Sequence, residues 1–212
     1  MNWLMQILSS SIGKKQVMAV TGLAFSLFLV THLIGNLTLY GGKELFISYV
    51  EHLHSWGYVV TAAEWGLVLL AFIHIGTGLL LFIQNTRARP VNYAVKKGAG
   101  GQTIGSITAP YTGILILIFL IFHLLRFRFT DKAETNDFLI LSGTFEQIGY
   151  VVFYVAAMVV VAIHASHGLW SGFQTLGISH PKYMPFIMRF SPVFAWVIGV
   201  GFGSVPLFIF LT

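Results

Sequence analysis

The chain has 212 residues, of which 56% are hydrophobic and 9% charged, against roughly 25% charged in an ordinary soluble domain, so it cannot cover itself with polar surface and water is not its main solvent. It has no cysteine, which excludes disulfides, a covalent c-type haem and a thiolate-ligated iron–sulfur cluster in this chain. The net charge of +5 is spread over loops with no aromatic-rich soluble platform beside it, and so does not point to nucleic acid.

The start, MNWLMQILSSSIGKKQ, does not read as a cleavable signal, because the basic pair Lys14-Lys15 precedes an apolar stretch too long for a signal-peptide core. Residues 1–13 are expected to lie on the membrane surface as a short amphipathic piece. Hydropathy places a first span at about 16–40, which carries His32. A loop with Glu51, His52 and His54 leads to a second span at about 58–84, which carries Glu64 and His74. A third span, at about 107–128, holds His123 and then Arg126 and Arg128. A fourth, at about 146–173, holds His164 and His167, and a fifth lies at about 190–211. Each is long enough for a hydrocarbon core of ~30 Å, which takes ~20 helical residues. Helices are the only open-ended way across, because every backbone amide must be satisfied internally. Gly76, Gly78 and Gly168 permit close helix approach in such a bundle. The expected fold is all-α, a single domain over 1–212 built as an integral membrane bundle of five transmembrane helices.

Orientation follows from the basic residues. Lys14, Lys15, Arg87, Arg89, Lys96, Lys97, Lys182 and Arg189 share one side, and Lys43, Arg126, Arg128 and Lys132 the other. Eight against four puts the N-terminus in the cytoplasm and the C-terminus outside. The acids Glu44, Glu51, Glu64, Asp131, Glu134, Asp137 and Glu146 all fall on the outer side or at outer helix ends. The inner face is then purely basic, suited to an acidic soluble partner or to anionic lipid headgroups.

Four spans carry histidine, and position converts to depth. His32 and His123 each lie 16 residues from the inner end of their span, or ~24 Å, while His74 and His164 lie at ~12–14 Å. The four form two pairs at two levels, ~10–12 Å apart along the membrane normal. A b-type haem needs two axial imidazoles facing each other across a flat macrocycle, and two stacked pairs make an electron path across a bilayer. Gly35, Gly78 and Gly168, three or four residues after His32, His74 and His164, would leave room for a ring plane. Arg126 and Arg128, one turn beyond His123, suit anionic haem propionates. A single membrane histidine is more often a polar contact between helices; four at matched depths argue for ligation. A zinc or proton transporter would want carboxylates beside the histidines; the first, third and fourth spans have none near theirs, and the second has only Glu64. His167 is open between iron ligand, propionate or quinone contact, and packing; spacing alone favours His164 only slightly.

KQVMAVTGLAFSLFLVTHLIGNL (Lys15–Leu37), AEWGLVLLAFIHIGTGLLL (Ala63–Leu81), IHASHGLWSGFQTLG (Ile163–Gly177) and GFGSVPLF (Gly201–Phe208) together resemble the cytochrome b subunit of succinate dehydrogenase and quinol:fumarate reductase, the five-helix, two-haem anchor of the cytochrome b558 family. The resemblance covers nearly the whole chain. It implies one haem b between His32 and His123, a second between His74 and His164, and His167 as a neighbour of the site. It also implies a flavoprotein subunit and an iron–sulfur subunit on the cytoplasmic face, which carry the succinate and fumarate chemistry. This chain is then left with electron transfer and quinone chemistry, with menaquinone or menaquinol as carrier, in the bacterial inner membrane. Whole complexes of the family often pair as dimers. Quinol oxidation needs a proton acceptor beside the ring. Glu64 is the first candidate and Glu51 the second; Glu64 also reads as a carboxylate favoured at a helix start. Some quinol:fumarate reductases carry a glutamate two residues before the fourth-helix ligand; here that residue is Ala162, which argues against a proton path of that type. The rival expectations are a di-haem cytochrome b of a hydrogenase or formate dehydrogenase, and a cofactor-free transporter that uses histidines for ions.

Overall fold

All five apolar stretches fold into single long helices. A computed structural model describes residues 3, 6, 9–88, 103–131 and 136–212. Its helices are α1 (Ser11–Leu37), α2 (Lys43–Ser55), α3 (Tyr58–Arg87), α4 (Ile104–His123), α5 (Asp137–Phe145), α6 (Ile148–Thr175) and α7 (Met184–Leu211). Among the described residues there is no strand. The stretches of membrane-crossing length and composition are Ser11–Gly41, Tyr58–Arg87, Ile104–Arg128, Ile148–Thr175 and Met184–Leu211. Of the expected surface piece at 1–13, residues 1, 2, 4, 5, 7 and 8 lie outside the described residues, as do Arg89, Lys96, Lys97, Lys132 and Glu134.

Helices α1 and α4 start earlier than hydropathy suggests because polar caps fix their first turns. The Ser10 hydroxyl accepts from the Gly13 N–H. Thr103 and Ser106 close a reciprocal capping box before α4, which satisfies amides that have no partner inside the helix. At its far end α1 tightens into a 3₁₀ turn (Thr38–Gly41), and Gly42, at φ 97°, swings the chain into α2. That backbone conformation favours a residue without Cβ. Helix α4 runs on into one π-turn (Leu124–Arg128) directly after His123.

Helix α6 is the centre of the bundle, packed against α7, α4 and α1. Helix α3 leans on α1 and only lightly on α4. Close approach rests on glycines that face backbone. A Cβ on Gly199 of α7 would stand 2.9 Å from Ala162 Cβ and 3.2 Å from Met158 O, and one on Gly105 of α4 would stand 2.9 Å from Ile163 O. The mid-bundle core gathers Leu33, Ala157, Met158, Val161 and Ile198. The two short helices α2 and α5, in regions expected to be loops, carry Phe46, Leu141 and Phe145 into a second core with Val151, Tyr154 and Val205.

The ends of the bundle differ in charge. Lys14 Nζ donates to Gln84 Oε1 at 3.1 Å, tying the start of α1 to the end of α3 at the basic end. At the other end Arg128 forks onto Glu64, with Nε to Oε1 at 3.1 Å and Nη2 to Oε2 at 2.9 Å.

Candidate functional site

Near the acidic end, His32 of α1 and His123 of α4 bring their ring centres to 6.1 Å, with planes crossing at 85°. A metal-bound imidazole nitrogen lies about 2 Å from its metal and the ring centre about 1 Å further, so two rings on one iron stand on the order of 6 Å apart. The pair therefore has the spacing of axial ligands. Its walls are aromatic. Phe28, one turn before His32, stacks on it at 5.2 Å, and Phe202 of α7 comes to 5.3 Å. Phe119 and Phe127, one turn before and after His123, lie at 5.5 and 5.3 Å. The Tyr154 hydroxyl meets His123 Nδ1 at 3.4 Å.

Toward the basic end lie His74 of α3 and His164 of α6. Each is held by a threonine on another helix. Thr21 Oγ1 of α1 lies 3.0 Å from His74 Nδ1, and Thr112 Oγ1 of α4 lies 3.0 Å from His164 Nδ1. The glycine after each threonine admits the ring edge. A Cβ on Gly22 would stand 3.3 Å from His74 Cε1, and one on Gly113 would stand 3.5 Å from His164 Cε1.

These contacts fix the levels. His74 lies beside Thr21, eleven residues before His32 on the same helix, and His164 beside Thr112, eleven residues before His123. Eleven helical residues rise about 16 Å, more than the separation expected from distances to the span ends.

The glycines expected beside the histidines differ in their surroundings. A Cβ on Gly35 would run into the Tyr49 ring at 2.7 Å, so that position admits α2, and one on Gly78 would meet Met18 at 3.1 Å. Gly168 faces open space. Arg126 donates from Nε to Thr144 Oγ1 at 2.7 Å and lies over the Tyr150 ring at 5.9 Å. Arg128 is engaged by Glu64, whose side chain is 38% exposed. Glu51, His52 and His54 are exposed on α2. His167 packs edge-on against Trp170 at 5.2 Å, and its buried Nδ1 lacks a protein hydrogen-bond partner among the described residues.

Thr21, Thr112 and Tyr154 are absent from the sequence-based site. Two of them leave a signal there. TGLAFSLFLVTH (Thr21–His32) and TGILILIFLIFH (Thr112–His123) share Thr-Gly at the start and His at the same remove. Ile73-His74 and Ile163-His164 are each followed, after three residues, by Gly-Leu. The α1–α3 and α4–α6 helix pairs thus repeat one pattern of site residues.

Comparison with family models, with curated proteins and with solved structures found no match to this chain.

Proposed function

We propose that the chain is a di-haem cytochrome b, the membrane anchor of a succinate:quinone or quinol:fumarate oxidoreductase in the bacterial cytoplasmic membrane. The observation that carries this reading is the arrangement of four imidazoles, one on each of four long apolar helices, paired at two levels. Their acidic-end pair stands at 6.1 Å, the spacing of two axial ligands. His32 with His123, and His74 with His164, would hold one haem b each. Bound haem supplies a one-electron Fe(III)/Fe(II) couple at each level.

The chain's own residues then have defined tasks. The phenylalanines around His32 and His123 exclude water and keep the surroundings apolar, which is one of the levers on haem potential. Arg126 and Arg128 put positive charge at the acidic-end level, where anionic propionates would be accommodated. Quinol oxidation delivers two electrons and releases two protons, so the quinone site needs an acceptor reachable from water. Glu64 and Glu51 are the candidates. Glu64 already shares its charge with Arg128 and would have to loosen that pair to take a proton, whereas Glu51 is exposed on α2. The basic end, with Lys14, Lys15, Arg87, Lys182 and Arg189, would face the cytoplasm and dock the flavoprotein and iron–sulfur subunits. The apolar outer faces of α3 and α4 would meet lipid. Menaquinol is the proposed carrier.

The test is a reduced-minus-oxidised spectrum with haem quantification on the complex purified from membranes. Two b haems per chain are expected, reduced by a menaquinol analogue and reoxidised by fumarate. His32→Ala and His123→Ala should each remove the same haem, and His74→Ala and His164→Ala the other. Two haems with a hydrogenase or formate dehydrogenase co-purifying would move the chain to a different enzyme. Absence of a Soret band would sink the haem assignment and leave the imidazoles as polar contacts or ion ligands.

A further inference from the structure

We infer that Thr21 and Thr112 are positioning residues for the basic-end haem: each holds its histidine as the Nδ1–H tautomer and leaves Nε2 unprotonated as the iron ligand. The inference rests on the haem reading above and adds the residues that prepare two of its ligands.

A threonine hydroxyl has one proton and two lone pairs. Thr21 Oγ1 gives its proton to its own helix, at 2.9 Å from Val17 O and 3.1 Å from Met18 O. Thr112 Oγ1 does the same, at 3.0 Å from Thr108 O and 3.1 Å from Ala109 O. With the proton placed there, the oxygen accepts from the imidazole, which puts the hydrogen on Nδ1. The neutral ring then has its lone pair on Nε2, the form a metal needs. A donated Nδ1–H also makes the ligand more basic and fixes the ring's orientation.

A helical threonine bonded to its own backbone is commonplace, and one such contact would carry little weight. Here the same construction occurs twice, on different helices. Both threonines are buried, at 4% and 6% exposure. Both are followed by a glycine that faces the imidazole, and both stand eleven residues before the other-level histidine of their helix. Among the described residues the acidic-end pair has no such threonine contact: His123 meets a tyrosine instead.

The experiment is a potentiometric titration of the full chain, purified from membranes with its haem, as wild type, Thr21→Val, Thr112→Val and the two serine variants. Valine keeps the shape and removes the hydroxyl; serine restores it. Loss of the acceptor should weaken the ferric preference of one haem about tenfold per threonine, a rise of 59 mV for one electron. Serine should return it close to wild type, and the His32/His123 haem should not move. Two haems with unchanged potentials in both valine variants would overturn the inference and leave the haem reading standing. So would equal shifts with serine and valine, or a shift confined to the other haem. A wild-type chain without haem would overturn the reading beneath it. Should one valine variant fail to fold, the other threonine and both serines still decide the question.

Discussion

At the scale of single residues, Thr144 shows what a paired buried polar group costs to disturb. It is fully buried, donates to Ile140 O and accepts from Arg126 Nε at 2.7 Å. Thr144→Val would leave a charged donor facing a methyl group. A hydrogen bond to a charged group contributes about 1.5–3 kcal/mol, so the variant should lose that much stability, while Thr144→Ser loses less. Chemical denaturation in detergent measures both; equal losses would mean that packing and not the hydroxyl matters at this position. The Glu64–Arg128 pair is a different case. Its side chains are 38% and 55% exposed, and exposed ion pairs are worth about 0–1 kcal/mol. Its role is to join α3 to the end of α4, where the two helices otherwise touch lightly.

At the scale of helices, α6 and α7 pack as closely as their backbones allow, and Ala162 is part of the reason. Gly199→Ala would set a methyl group 2.9 Å from Ala162 Cβ and 3.2 Å from a carbonyl that cannot rotate away. Overpacking of this kind costs about 1–3 kcal/mol. The expected result is a lower unfolding midpoint in detergent, partly restored by adding Ala162→Gly; full stability of the single variant would show that the helices can part freely. The same contact explains why residue 162 is small: a glutamate there would have to displace α7. How much of this was legible in the sequence varied with the physics involved. The five long helices are, because a run of apolar residues with no polar interruption has few other uses. The order of the histidine levels is, because a helix rises evenly, while their separation comes out larger than the span ends suggest. The short helix α2 is not, since it buries only Phe46 and its polar remainder reads as loop, and α5, though apolar, is too short at nine residues to stand out as a span. The threonines are also missed, because Thr21 and Thr112 look like tolerated polar residues until the partner helix is in place. Only the repeated Thr-Gly at a fixed distance from histidine marks them in advance.

At the scale of the whole molecule, the charge asymmetry makes a claim about direction. Positive charge near short loops stays on the cytoplasmic side during insertion. Lys14, Lys15, Arg87, Lys182 and Arg189 gather at one end, with no acid there among the described residues, while Glu44, Glu51, Glu64, Asp131, Asp137 and Glu146 belong to the other. The bundle should therefore sit with both the basic end and the chain's start in the cytoplasm. The absence of cysteine makes this directly measurable, because any thiol introduced is the only one. His54 and Lys182 are exposed residues at opposite ends, in α2 and in the turn before α7. In intact cells a membrane-impermeant maleimide should label His54→Cys and leave Lys182→Cys untouched; opening the membrane should expose the second. The reverse pattern would place the basic end outside and remove the docking face proposed for the cytoplasmic subunits. It would leave the histidine pairs and their threonines in place, since those depend on contacts within the bundle and not on which side of the membrane it faces. Labelling thus tests the partners, and haem spectra test the ligands, so neither result substitutes for the other.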